Sequence, residues 1–408
     1  MRDSDERQPV QQMPLPLDLK CTSTYWLWGD DRQRGTARGL RLHVRRRRVR
    51  GWLSSHGPIS PNAFLRFGHG DDAVSPSCRL RMRRTDPLEE DEEVRTLSDE
   101  IVKVLLTPAL AVDAARRAVL DSWHGRLTSP PRLHAAAGSV DLAFTVGGYP
   151  DGPVGFRAYG SWPGPSDQAV LVWSGRGTLE GIVVGQELGV RRTGALGAVA
   201  ADTLAREDAH TVAVIGSGVQ AWAQLWALTA VRSVTQVRVF SPTLEHRTAF
   251  ADRARSELGL PAQPVGEAQQ AAEGADVIIV ATRSSTPVLK DEWVGPGTHL
   301  ATVGPKLASA HEIPVSLLDR AQVAVSDSPA QAASYTEPFF TGRDLVHLGA
   351  VLDGVAPGRI SRSDVTVYCS VGLAGSEVVI ADAVISAAIA AAADSQRAGS
   401  RSPGRNGA

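Results

Sequence analysis

The spacing of apolar positions changes character along the chain, and each change predicts a different kind of structure. After Val94 the pair Thr107-Pro108 supplies a helix N-cap and first residue. Leu110, Ala114, Ala115, Ala118 and Trp123 then recur at roughly helical spacing, which predicts an amphipathic helix. Between 139 and 184 short apolar runs at 142–146, 155–159 and Ala169–Trp173 alternate with Gly/Pro turns, the pattern of a strongly turned β-sheet. From about 211 to 327 the rhythm changes. Strand-like runs at Thr211–Ile215, Gln236–Phe240, 276–281, 299–303 and 322–325 are separated, in the first part, by helical stretches. That alternation predicts a parallel, doubly wound sheet. A further strand is expected at 365–369, and an Ala-rich helix over 374–393 that packs back on the first domain.

The expected fold class is therefore α/β, a Rossmann-type doubly wound parallel sheet beside an α+β substrate-side domain. The expected boundaries are 94–205, completed by 335–395, for the substrate-side domain, 206–334 for the Rossmann domain and 396–408 for a flexible tail. Residues 1–93 mix Pro, Ser, Trp and Arg without either period and end in the acidic run 89–93. They are expected to be a disordered or non-native extension whose removal leaves fold and coenzyme binding intact. The block Arg45 to Arg48 is the one feature that points to nucleic acid, but no recognisable module or interleaved aromatic platform accompanies it.

Composition narrows the classes further. The 43 basic and 44 acidic residues leave a net charge of −1, so no whole-molecule field draws the chain to nucleic acid or anionic lipid. Cys21, Cys78 and Cys369 are far apart, without the spacing of a zinc site or a disulfide framework. A reducing cytoplasm and no bound metal are the expectation. The most apolar stretch, 381–393, reads as too short to span lipid, and no export or anchoring signal is seen.

The strongest chemical signal runs from Thr211 to Ala221, where an apolar strand enters a glycine turn and then a helix. Gly216 permits the tight turn, Gly218 lets the backbone approach a diphosphate, and Ala221 allows close packing. The helix beginning near Val219 directs free N–H groups and its positive dipole end at the phosphates. A dinucleotide site follows. The second strand ends at Phe240 without the carboxylate that usually accepts from the ribose hydroxyls. Ser241, Thr243 and Arg247 suit a 2'-phosphate, so NADP(H) is favoured over NAD(H).

Several landmarks then fall in a specific order: Pro131-Arg132, Gly155-Phe156-Arg157, Arg191-Arg192-Thr193, the turn from Gly216 to Ala221, the strand ending at Thr282, the run from His299 to Gly304, and Ser370-Val371-Gly372. Together they resemble the ornithine cyclodeaminase/mu-crystallin family over roughly 94–393. The resemblance implies a homodimer formed through the non-Rossmann domain, with a small amino-acid or imine substrate between that domain and the nicotinamide. It implies Arg132, Arg157, Arg192 and Val371 on the substrate side. It implies coenzyme contacts from Ser174, Arg192, Thr193, Val219, Gln220, Thr282, Val303, Gly304 and Ser370.

Two departures from the family pattern bear on chemistry. Arg157 stands where the family usually has a lysine, keeping the charge but not the easily shed proton. Lys306 stands where cyclodeaminases carry an acid/base aspartate, and a desolvated lysine is able to trade protons. His311 and Glu312 are second candidates. The expected activity is an NAD(P)-dependent oxidoreductase at the C–N centre of an amino or imino acid, with Arg132 and Arg157 holding the carboxylate and Lys306 as the catalytic proton carrier. Cyclodeaminase chemistry and ligand binding without turnover are the alternatives.

Overall fold

The computed structural model describes residues 94–164 and 166–400, with side chains as far as residue 397, and separately an antiparallel pairing of Trp26–Leu27 with Leu40–Arg41. The expectations for the rest of residues 1–93 and for 401–408 lie outside the described residues. In chain order the first elements are β1 (Arg95–Leu97), α1 (Asp99–Leu105), α2 (Pro108–Trp123), β2 (Leu133–Ala137), β3 (Val140–Gly148), β4 (Val154–Gly160), β5 (Ala169–Trp173), β6 (Leu179–Val184) and α3 (Glu187–Leu204). The expected cap is present: the Thr107 hydroxyl accepts from the Leu110 N–H, with Pro108 at the first helical position. The strands form a sheet of order β1-β6-β5-β4-β3-β2, antiparallel except for β1 against β6.

Period-two alternation gives this sheet two unlike faces. The register pairs Thr145 with Arg157 and Arg157 with Val170, so these three share the inner face. Phe144, Phe156, Leu171 and Trp173 take the outer face and are only half-buried among the described residues. Phe156 stacks on Trp173 with ring centroids 5.8 Å apart.

The second layer continues with β7 (Thr211–Ile215), α4 (Val219–Leu228), β8 (Gln236–Phe240), α5 (Leu244–Leu258), β9 (Ala262–Pro264), α6 (Ala268–Ala272), β10 (Val277–Val280) and β11 (His299–Thr302). It ends with the short hairpin β12 (Lys306–Leu307) and β13 (Ala310–His311), then α7 (Val315–Arg320), β14 (Val323–Ser326), α8 (Pro329–Ala333), β15 (Val346–His347), α9 (Leu348–Leu352), β16 (Thr366–Cys369) and α10 (Ser376–Ser400). Eight strands form one parallel sheet of order β9-β8-β7-β10-β11-β16-β14-β15. Its central strands are buried on both faces, which is why they read as continuous apolar runs rather than alternating ones.

The expected assignment of 335–395 to the first layer needs correction. Thr366–Cys369 sits inside the parallel sheet between β11 and β14, and Val346–His347 forms its edge. α9 packs on α2, with Gly349 against Val119 and Trp123, and α10 crosses back, placing Ile385 against Gly181 on the inner face of the first sheet. That helix runs to Ser400, beyond the expected stop at 393 and into the expected tail. By length and composition Ser376–Arg397 would pass for a membrane-crossing helix, contrary to the sequence reading, yet Val378, Val379, Ile380, Val384 and Ile385 are core residues here. The Asp99 carboxylate fixes the start of α3 by accepting from the Gln186 and Glu187 N–H groups at 3.1 and 2.9 Å.

His299 opens β11 fully buried, its Nδ1 2.9 Å from the Thr366 hydroxyl. Burial, aided by the charges of Arg359 and Arg232, pushes its imidazole down to about 3. A histidine held neutral when folded is charged first in the unfolded chain. Its contribution to stability is therefore complete above the ordinary value of 6.5 and is lost as pH falls toward 3. The expected loss is about 1.4 kcal/mol per pH unit. A His299→Gln variant should show a flatter decline of Tm between pH 6 and pH 4 than the parent, measured by calorimetry; parallel declines would contradict this.

Candidate active site

At the carboxyl end of β7 the chain turns at Gly216, where φ is +112°. A Cβ there would run into the Ala281 carbonyl oxygen, so glycine is required both for the conformation and for the close approach of the β10 loop. A Cβ on Gly218 would meet nothing within 4 Å. α4 follows at once, with Ala221 fully buried and no side chain capping the first turn. Its N–H groups open on a cleft of about 1000 Å³. The walls include Gly216, Gly218, Val219, Gln220, Ser241, Thr243, Thr282, Val303 and Gly304, nine of the residues assigned to coenzyme from sequence. The buried Gln220 Oε1 has no partner. A bare backbone turn and a helix start without a side-chain cap on one cleft fit a dinucleotide diphosphate.

Other sequence assignments fall elsewhere. Arg247 does not line the cleft: its Nη1 donates to the Ser241 and Pro242 carbonyls at 2.9 and 3.2 Å, bracing the loop from behind. His246, Arg253 and Arg283 line the cleft instead, and no carboxylate does so among the described residues. The Arg253 guanidinium lies 3.7 Å from the Trp222 ring centroid. Ser174 is in the β5–β6 hairpin turn, its hydroxyl accepting from the Thr178 N–H at 3.2 Å, and it is not on the cleft wall. Thr193 donates to the Gly189 carbonyl within α3 at 2.9 Å, an ordinary helical back-bond. Helix-interior and hairpin hydroxyls are taken up locally because a backbone partner is within reach.

Glu312 is a correction of a different kind. It is fully buried. One carboxylate oxygen accepts from the Thr302 hydroxyl and the Val303 and Gly304 N–H groups, at 2.8, 2.8 and 2.6 Å. The other accepts from the Thr282 N–H and hydroxyl at 2.8 and 2.9 Å. With both oxygens spent on protein donors, neither is free to exchange a proton with a ligand. Its work is to tie the ends of β10 and β11, two walls of the cleft, to each other. His311 is stacked on Phe339 with centroids 5.3 Å apart, and its Nδ1 faces the Ile313 carbonyl at 2.8 Å.

Beyond Thr302 the neighbouring strand is β16, and the Ser370 N–H donates to the Thr302 carbonyl at 3.0 Å. Ser370, Val371 and Gly372 thus continue the rim of the sheet from the cleft toward three arginines. Arg132 donates from Nη2 to the Val371 carbonyl at 3.3 Å. Arg192, buried on α3, meets Glu377 Oε1 at 2.5 Å. Arg157 Nη1 reaches the same oxygen at 3.5 Å. Its remaining nitrogens donate to Gln168 Oε1, and its guanidinium lies 4.4 Å from the Tyr159 ring centroid. Burial first, and then the charge of Arg192, lowers the Arg157 pKa. With every edge engaged, Arg157 acts as a brace and does not offer a free fork to a carboxylate. The Nε atoms of Arg132 and Arg192 are buried without partners.

Glu377, Gln168 and Asp327 were missed by the sequence reading. A carboxylate in an otherwise apolar run, as Glu377 is beside Val378, Val379 and Ile380, was the available signal, since such a charge is buried only when paired. Lys306 sits in the β12–β13 hairpin, 5% exposed, its Nζ donating to the Gly304 carbonyl at 2.6 Å. Burial drives its ammonium below the usual lysine range, against the opposing charges of Glu312 and Asp327. No His/Cys/Asp/Glu cluster able to hold a metal occurs among the described residues.

Known proteins resemble this chain in sequence and fold. The chain is 34% identical over 209 residues to a Delta(1)-pyrroline-2-carboxylate reductase of Bacillus cereus, covering 49% of the chain and 64% of that relative. The match therefore spans a little under two thirds of the reductase. With an alanine dehydrogenase of Archaeoglobus fulgidus the identity is 28% over 308 residues, 72% of the chain and 94% of the relative. The iminosuccinate reductase of Paracoccus denitrificans, solved in complex with NAD+, superposes with a TM-score of 0.67 at 28% identity, covering 73% of this chain and 97% of that one. The sequence profile of the ornithine cyclodeaminase/mu-crystallin family matches residues 106–391, a span that holds the whole parallel sheet, the glycine turn and the arginine cluster, and the chain belongs to that family.

Proposed function

We propose that the protein is an NAD(P)-dependent oxidoreductase acting at the C–N centre of an amino or imino acid. One observation carries this reading. The carboxyl ends of the neighbouring strands β10, β11 and β16 lead without a break from the coenzyme-shaped cleft, through Thr282, Val303 and Gly304, to the turn Ser370–Gly372 that meets Arg132 and Arg192. The reductases and dehydrogenases named above, of which one holds NAD+, support it.

The backbone of Gly216, Gly218, Val219 and Gln220 would hold the diphosphate, with Ala221 letting the helix close up behind it. Ser241, Thr243 and His246 flank the far end of the cleft, where the lack of a carboxylate favours NADP(H) over NAD(H). When bound, the nicotinamide coenzyme supplies or accepts a hydride at the substrate carbon. Arg132 and Arg192 orient the substrate carboxylate, while Arg157, Gln168 and Glu377 keep Arg192 in place. Lys306 holds the proton that the nitrogen centre takes up or releases. Burial lowers its pKa and so eases release of the proton, which an arginine would not allow.

We also propose that two copies pair through the outer face of the first sheet, where Phe144, Phe156, Leu171 and Trp173 form a half-buried apolar surface larger than single scattered residues would make. A cytoplasmic, reducing setting suits the free, buried Cys369, whose thiol burial pushes up to about 12.

Screening amino acids and cyclic imines with both coenzymes should reveal a substrate that changes the near-ultraviolet absorbance of the reduced coenzyme; product without net coenzyme change would instead indicate cyclodeaminase chemistry. Intrinsic fluorescence, with Trp222 on the cleft wall, should report a smaller Kd for NADPH than for NADH. A clear NADH preference would overturn that assignment. Lys306→Met should lower kcat by about 100-fold or more and leave coenzyme Kd unchanged. In the parent, imine reduction should decline as pH rises through the lysine's lowered pKa, because the protonated form is the donor; a variant with full activity and the same pH profile would remove Lys306 from the chemistry. Sedimentation should show a dimer that Phe156→Glu converts to monomer, and a monomeric parent would dismiss the proposed interface.

A further inference from the structure

Asp327, whose charge opposes the lowering of the Lys306 pKa, is fully buried just beyond the end of β14 and has been given no contact with substrate or coenzyme. A carboxylate persists there only with donors around it. Its oxygens accept from the Val371 and Gly372 N–H groups, each at 2.9 Å, and the Ser326 hydroxyl lies 3.3 Å from Oδ1. Val371 and Gly372 belong to the turn after β16, in which Gly372 has φ +92°. Two arginines border that turn. The Val371 carbonyl accepts from Arg132 Nη2. A Cβ on Gly372 would lie 3.2 Å from Arg192 Nη1 and 3.3 Å from Arg132 Nη2, so both guanidiniums flank the same bare Cα.

We propose that Asp327 is a positioning residue for substrate: by pinning the Val371–Gly372 turn it sets the spacing of Arg132 and Arg192, and so the seat of the substrate carboxylate. This rests on the roles proposed above for those arginines. The physical reason is geometric. A carboxylate shared by two planar donors tolerates little error in their separation. The turn between them has a left-handed glycine and is held at the parallel-sheet rim by Asp327. With one of the two bonds lost, the Val371 carbonyl shifts and takes Arg132 with it. Asp327 does not line the coenzyme cleft, so coenzyme binding should be spared.

The test uses the full chain with Asp327→Asn, which keeps the shape and one acceptor but turns an amide N–H2 toward a backbone N–H. Calorimetry would give the Kd of NADPH, and then the Kd of pyrrole-2-carboxylate, a planar cyclic carboxylate, for the NADPH-loaded protein; steady-state kinetics would give KM and kcat. Weakening of the carboxylate Kd and of KM by about tenfold or more, with NADPH Kd within about twofold of the parent, is the expected result. Unchanged carboxylate binding would overturn the inference, and so would equal weakening of NADPH binding, which marks a general structural role. Should the asparagine variant not fold, Asp327→Ser is read by the same criteria. A parent protein that binds NADPH but no carboxylate would bring down the proposed function as well, an outcome distinct from failure of the variant alone.

Discussion

Parallel strands end in backbone N–H groups that no neighbouring strand accepts, and the rim of this sheet is organised by how those groups are satisfied. Two fully buried carboxylates do so. Glu312 joins the ends of β10 and β11, and Asp327 joins the end of β14 to the turn after β16. Each is far from water and accepts from backbone amides, and bonds of that kind take away the freedom of the loops they hold. The coenzyme cleft is walled by loops fixed in this way, and so is the turn that borders Arg132 and Arg192. Binding at either need not spend free energy on ordering them.

The arginine cluster is a matter of unbalanced charge. Arg157 and Arg192 share one oxygen of Glu377, and Arg132 stands nearby with a backbone carbonyl as its acceptor. A buried ion pair repays its desolvation only with good geometry and further hydrogen bonds, which Gln168 supplies for Arg157. Arg132 and Arg192 keep buried nitrogens without partners. Positive charge left partly unpaired in a low-dielectric site is what the proposed seat for a substrate carboxylate requires. Arginine in place of the family's usual lysine at 157 makes sense in these terms, since five donors in a plane can brace Glu377, Gln168 and the Tyr159 ring together while an ammonium cannot.

Much of the fold was legible because its signals are local. The Thr107-Pro108 start of α2, the apolar strands at Thr211–Ile215 and Gln236–Phe240, and the glycine turn at 216 each depend on neighbours in sequence, and each is found where the pattern puts it. What was not legible depends on residues far apart in the chain. Thr366–Cys369 reads as a strand, but only pairing with β11 and β14 places it within the parallel sheet. Arg247 has the right chemistry for phosphate, but the Ser241 and Pro242 carbonyls already hold it. Glu312 and Asp327 look like loop acids until the strand ends converge on them.

The sequence by itself determined the alternation of strands and helices, the backbone turn that suits a diphosphate, and the stock of basic side chains, since periodicity, glycine conformation and residue type are properties of short stretches. Tertiary structure decided which of those side chains are spent on the protein and which stay open to a ligand. A guanidinium's availability depends on whether a carboxylate such as Glu377, 185 residues from Arg192 along the chain, arrives beside it.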